Sequence, residues 1–426
     1  MSMPMDHCRI ESGLRTLFLC LGALTACAAP AAAQRQSDLP SERELSRYGL
    51  VRAWWSQAML NPTSESVRYL SADEDNVYVQ STSGIVTAIH AETGRRLWSA
   101  LIGGANDESL PVATNEEQVL VAVGMHLYAV DKFTGRSLWN LDLPHHPSTS
   151  PEVDEDRVYI GMVDGSVYAY DLRKIKRLHD ENRLPTWTNY AFVWRYQTPL
   201  EITSPPISTG QTVTFASRNG AVYSVATSER RLFFQFETDR PIQTPLGRGA
   251  GAIFVASEDA RLFCLNERNG VRRWGFTSGT PIRRQPRVIG GHVYFTPERD
   301  GMYCLNTDTG IIVPGEDGWH QPRATEYLGA SNDHIYSSDA SDNVLILSRK
   351  DGAVEGVIPL RSLPVRVGNE RTDRLFFATT TGLITCLHER GQEFPLFHKY
   401  PDRRPILPDL APEDAAAEEA AAGTGN

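Results

Sequence analysis

Cysteine is scarce in this sequence, and none is paired for chemistry. Six occur in 426 residues. Cys8, Cys20 and Cys27 fall within the first thirty positions, and Cys264, Cys304 and Cys386 stand alone, with no CxxC, no CxxCH and no vicinal pair. That pattern excludes a disulfide framework, a thioredoxin-like redox motif and covalent haem attachment. Positive charge is also in short supply: 42 Lys and Arg face 52 Asp and Glu, for a formal net charge of -10. No basic stripe with interleaved aromatics occurs, so no nucleic-acid partner is expected. The acidic excess is concentrated at one end. Asp409, Glu413, Asp414, Glu418 and Glu419 lie in a tail where no Lys or Arg follows Arg404. What remains is an ordinary globular composition, 41% hydrophobic and 9% aromatic, on a chain long enough for a sizeable core.

The first thirty-odd residues differ from the rest. Arg9 and Arg15 precede the apolar run LFLCLGALTA (17–26), and small residues follow to Ala33. A basic start, a short apolar run and small residues make an export signal, and the run is too short to span a bilayer comfortably as a permanent helix. Two processing positions fit. Leu24-Thr25-Ala26-Cys27 is similar to a bacterial lipobox, which would make Cys27 a lipid anchor to the membrane; cleavage after Ala33 would leave Gln34 first. The expected organisation is an export signal over 1–26, a flexible tether over 27–49, a folded ring over 50–400 and a disordered Pro/Ala/Glu-rich tail over 401–426.

The folded part is a repeat. A strand-like segment with alternating apolar residues recurs eight times, with central positions Ala88, Ala129, Ala169, Ser224, Cys264, Cys304, Ile346 and Cys386. The spacings are 41, 40, 55, 40, 40, 42 and 40 residues. An insertion in the third unit accounts for the outlier. Seven of these eight residues are small and read as compact fillers beneath a neighbouring sheet. Each unit has a second alternating strand upstream, joined by a turn rich in Gly, Asp and Asn. A Gly falls six residues after the small position at Gly94, Gly135, Gly270, Gly310 and Gly352, and a Trp ten residues after it at Trp98, Trp139 and Trp274. Period-two alternation excludes helical solenoids, and units of about 40 residues with several short strands predict an all-β, eight-bladed β-propeller of four-stranded antiparallel blades. The segment LVRAWWSQAML (50–60), ahead of the first full unit, is predicted to supply the outer strand of the last blade and close the ring.

The run Ala129-x-Asp131-x-x-Thr134-Gly135-x-x-x-Trp139 resembles the tryptophan-docking motif of pyrroloquinoline-quinone (PQQ) type propeller repeats. The first unit follows it through Ala88, Thr93, Gly94 and Trp98, and the fifth keeps Gly270 and Trp274. The sixth keeps Thr309 and Gly310 but has Pro314 where the Trp is expected. The resemblance implies that each indole packs on the adjacent blade. Two branches of the repeat are known. One is the quinoprotein dehydrogenases, which hold PQQ and calcium; this chain has no Cys-Cys pair, no acidic cluster by the inner strands and no spare length, so no cofactor, metal or catalytic residue is expected. The other is the BamB-like family of outer-membrane assembly lipoproteins. Resemblance to it implies a non-catalytic, exported scaffold, periplasmic or outer-membrane-associated, whose protein partner is β-barrel assembly machinery. A general envelope propeller recognising proteins, peptides or glycans is the alternative.

Two places invite partner binding. The insertion carries Arg173, Lys174, Lys176 and Arg177 and ends near Trp187, residue types enriched at binding hot spots. Arg283, Arg284 and Arg287 surround the start of the innermost strand of the sixth unit, where they could bind an anionic group or pair with acidic neighbours. The acidic runs Asp73-Glu74-Asp75 and Asp154-Glu155-Asp156 are expected in turns facing solvent.

Overall fold

The computed structural model describes residues 39–105, 107–312 and 318–400. Cys27, Gln34, Pro314 and the acidic tail lie outside them. The alternating segments are strands, and the described residues form eight four-stranded antiparallel sheets. Blades 1 to 7 span 67–101, 113–142, 152–197, 207–237, 247–277, 287–321 and 326–358, each running from an inner to an outer strand in chain order. Blade 8 takes three strands from 365–389 and its outermost, Leu50–Gln57, from the other end of the chain. This strand pairs with Leu383–Glu389 from Leu50↔Glu389 to Gln57↔Leu383, so the ring is closed by backbone hydrogen bonds between the chain's two ends. Closure leaves few exposed strand edges.

One cross-strand rung recurs in seven of the eight blades. The small residue on the third strand faces an aromatic on the outer strand: Ala88↔Trp98, Ala129↔Trp139, Ala169↔Trp194, Ser224↔Phe234, Cys264↔Trp274, Cys304↔Trp319 and Cys386↔Trp54. The small residues are therefore the partners of the indole in their own sheet, and not only fillers beneath the next one. The sixth blade also departs from expectation. A longer connection delays its indole past position 314 to Trp319. Blade 7 inverts the rung: Ile346, the one bulky member of the series, faces Gly356.

Each indole then reaches the next blade. Trp98 donates from Nε1 to the Lys132 carbonyl at 2.9 Å, and its ring covers Gly135, where a Cβ would sit 2.5 Å from the indole. Trp54 on the Ala91 carbonyl and Gly94, Trp274 on Thr307 and Gly310, and Trp319 on Arg349 and Gly352 repeat the arrangement. Phe234 covers Gly270 without a hydrogen bond to give, and Trp194 reaches the Thr227 carbonyl. These glycines have positive φ, 68° at Gly135 for instance, so the residue type is fixed both by the turn and by the close approach of the ring.

The seam between blades 7 and 8 lacks an indole, and the chain start fills it. Helix Glu42–Arg47 is capped by the Ser41 side chain, its Leu45 is fully buried, and Tyr48 packs on Gly356. The stretch read as tether thus includes residues that pack into the ring; burial of Leu45 and Tyr48 against Leu328, Ile346 and Leu375 outweighs the polar composition around them. His334 of blade 7 lies 2.7 Å from Glu389 of blade 8 and 3.0 Å from Glu355, and Glu389 also accepts from Ser331 and Tyr336. Burial works against the imidazolium, but the two carboxylates outweigh it and hold His334 above its usual value. Burial likewise opposes the Glu389 carboxylate, and its three donors hold it below the usual range.

Two outcomes follow from these contacts. Trp98→Ala should cost about 3–5 kcal/mol of unfolding free energy, and Gly135→Ala should also destabilise by forcing the ring off its seat. The double variant should lose clearly less than the sum, because the Cβ no longer meets an indole; strict additivity in denaturant titrations would show the two are uncoupled. For His334 the folded value is raised, so its contribution is complete below the unfolded pKa and is lost as pH rises through the folded one. Glu389, with a lowered folded value, contributes above its unfolded pKa and is lost as pH falls through its folded one. The melting-temperature gap between wild type and His334→Gln should therefore be widest in mildly acidic buffer, near about pH 5.5, and should close toward about pH 8.5. A gap that widens with pH would contradict this assignment.

Candidate binding surfaces

The ring presents two faces. One carries the hairpin turns between second and third strands and the inter-blade connections. The other carries the first-to-second and third-to-fourth turns, where the indoles dock. On this second face a groove of about 1290 Å³ opens beside blades 8, 1, 2 and 3. Its wall on one side is the insertion of blade 3, which replaces the short turn found elsewhere by helix Leu172–Asp180. Asp171 caps the helix by accepting from the Lys174 amide, and Leu172, Ile175 and Leu178 share the buried side. They pack with Trp139 and Leu141, so Trp139 is covered by the helix and not seated on a glycine turn.

The remaining lining comes from turns: Glu74 and Asp75, residues 114–118, Lys132 and Phe133, Asp154 and Glu155, Arg371, and Tyr400 at the end of the described chain. Lys132 is itself buried and bridges Asp73 at 2.9 Å and Asp75 at 3.5 Å. The 73–75 run is thus only partly in solvent. Burial penalises the Asp73 carboxylate, but Lys132 and two backbone amides outweigh that and keep it ionised below the usual range. Asp154 turns inward in the same way, accepting from the Tyr159 and Ser208 hydroxyls. Arg371 holds Glu74 at 2.8 Å, joining blade 8 to blade 1. Beneath it the fully buried Arg374 forks onto Glu92 of blade 1. Phe133 sits in the docking turn whose Asp131 carboxylate accepts from the Phe133 and Thr134 amides, and its ring is 58% exposed.

The other sequence-predicted residues are spread apart. Arg173 bridges Asp156 at 2.8 Å, while Lys174, Lys176 and Arg177 are exposed along the helix. Trp187, 39% exposed, lies 4.9 Å from Tyr190 with Arg183 over its ring. Arg283 pairs with Glu258 and Glu298, Arg284 with Glu326 and Arg287 with Glu370. The three arginines are thus drawn to acidic side chains of other turns. Cys264, Cys304 and Cys386 are buried and in no disulfide; burial pushes Cys264 up to about 11 and Cys386 up as well, which suits inert filling. No group of three or more His, Cys, Asp or Glu among the described residues converges on a metal position.

Near the groove, at the inner strand of blade 3, burial pushes the Glu152 carboxyl up to about 7 against the pull of the Ser208 amide, Arg371, Lys399 and Arg248. A raised acid is bound to its proton in the folded chain where the unfolded chain has lost it, so stability falls as pH rises from the ordinary carboxylate value to about 7. Glu152→Gln should then raise the melting temperature near about pH 8 and leave it unchanged near about pH 4; equal effects at both would refute the burial argument.

The sequence reasoning missed the groove residues Phe133, Lys132, Arg371 and Tyr400. Only one weak signal marked them: a Phe in the exposed position of a docking turn.

Comparison with known proteins gives one family and one fold. Residues 82–229 and 211–381 match the family described as outer membrane protein assembly factor BamB. The protein of that name from Shewanella oneidensis is 31% identical over 131 residues, 28% of this chain and 32% of its own length. The match therefore spans about a third of that relative. The crystal structure of BamB from Moraxella catarrhalis is similar with a TM-score of 0.57 at 15% identity, covering 79% of this chain and 100% of that one. A computationally designed protein, Ika8, is similar with a TM-score of 0.61 at 12% identity, covering 78% and 98%. At these identities the structural likeness shows the propeller fold alone.

Proposed function

This chain belongs to the outer membrane protein assembly factor BamB family, and from that membership we propose that it is a non-catalytic, extracytoplasmic scaffold that docks on membrane-protein assembly machinery. The observation that carries the reading is the family match over 82–381, on a closed ring of eight blades. A rigid ring with loops and insertions on two faces can position partners without chemistry of its own. The insertion of blade 3 supports the reading further: Arg173, Lys174, Lys176, Arg177 and Trp187 form an exposed basic and aromatic projection absent from the other blades. We take 1–26 as an export signal, Cys27 as the lipid anchor, the stretch up to Pro40 as the tether and 401–426 as a tail outside the ring.

Crosslinking in membrane extracts followed by affinity purification tests the role. Recovery of a barrel-assembly component is the expected result, and consistent recovery of an unrelated partner in its place would favour a general recognition propeller. Mass spectrometry of the mature N-terminus should find a lipidated Cys27; an unmodified Gln34 would remove the anchor from the proposal.

A further inference from the structure

The groove beside blades 8, 1, 2 and 3 has a charge balance that its own ion pairs do not use up. Of the cations lining it, Lys132 is held by Asp73 and Asp75, Arg371 by Glu74 and Arg173 by Asp156. Glu116, Glu117 and Glu155 are exposed on its lining and have no ion-pair partner among the described residues. Lys176 is the groove cation left over. Two aromatic rings stand in the same space: Phe133, 58% exposed, and Tyr400, 57% exposed. What sets these two apart from other exposed rings of the chain is their place on the lining of one groove, beside carboxylates without an ion-pair partner among the described residues.

A second, smaller hollow of about 680 Å³ continues the groove outward. It shares Glu117, Gln118, Phe133 and Lys176 with the first, and its far end is lined by Trp139, His179 and Asp180. Phe133 thus lies between two hollows, on the docking turn of blade 2, with the insertion helix as the opposite wall. The turn is anchored from beneath by the Trp98 indole on the Lys132 carbonyl, so the ring of Phe133 is presented on a fixed backbone.

We propose that this groove is a docking site for an extended, cationic segment of a partner protein. Arginine or lysine side chains of the segment pair with Glu116, Glu117 and Glu155, and an apolar residue between them packs on Phe133. An extended strand suits the site because the lining is a row of turns from successive blades with the insertion helix at one side. Residues 198–203, the connection between blades 3 and 4, lie on the other face of the ring, so an occupant of the groove leaves that connection free. The proposal rests on the scaffold reading and adds the chemistry of what is bound.

The test uses the full mature protein and three fluorescein-labelled decapeptides in anisotropy titrations. One has four arginines flanking a central Leu-Phe pair, one replaces the arginines by glutamate, and one keeps the arginines but replaces Leu-Phe by Gly-Ser. The first should bind at least about tenfold more tightly than either other, and raising salt should weaken it, as charge pairing in water requires. Phe133→Ala should reduce binding of the first peptide to that of the Gly-Ser peptide. The triple variant Glu116→Gln, Glu117→Gln, Glu155→Gln should reduce it at least about tenfold and flatten the salt dependence. All four positions are exposed, and unchanged melting curves would show the ring intact. Glu201→Gln, on the other face, should bind as wild type. Equal binding of the three peptides, or groove variants that bind as wild type, would overturn the proposal. Crosslinked assembly partners with indifferent groove variants would sink the groove alone; selective peptide binding with no assembly partner recovered would sink the assembly role alone.

Discussion

The contact on which most of this ring depends is an aromatic ring laid over the turn of the next blade, in four seams an indole over a glycine. The contact is strong because it combines three effects at one place. A large apolar surface leaves water, an Nε1–H finds a carbonyl that the turn leaves unpaired, and the missing Cβ lets ring and backbone meet closely. The small residue opposite the indole in its own sheet is the other half of the arrangement, since a larger one would push the ring off its seat. Blade 7 illustrates the coupling by exchanging both halves at once, Ile346 for the small residue and Gly356 for the indole.

That exchange leaves one seam without its usual anchor, and the molecule supplies others from outside the repeat. Tyr48 occupies the place over Gly356, Leu45 fills the cluster beside it, and His334 ties blade 7 to Glu389. The neighbouring seam, where the first and last blades meet, has its indole from Trp54 and adds Arg371–Glu74 and Arg374–Glu92. Buried charge pairs of this sort contribute little net stability, but removing one partner strands the other.

The insertion of blade 3 connects architecture to function. By replacing a glycine turn with a helix it covers Trp139 in a different way and at the same time raises a wall on the docking face. A groove exists there because one repeat gave up the standard turn.

The sequence by itself determined the number of blades, the strand alternation and the glycine turns, because each depends on residues close together in the chain and repeated at a nearly fixed interval; the closing strand was legible because the last repeat is one strand short and a strand-like segment precedes the first. It found Pro314 where spacing expects the sixth indole and assigned none, whereas register across the sheet puts Trp319 opposite Cys304. It read Asp73 as solvent-facing and 27–49 as a flexible tether because composition marked both polar, and only the fold brought Lys132 to Asp73 and Gly356 to Tyr48. The groove was invisible in the same way. Phe133 and Glu155 belong to consecutive blades, and only closure of the ring brings Tyr400 to the same groove.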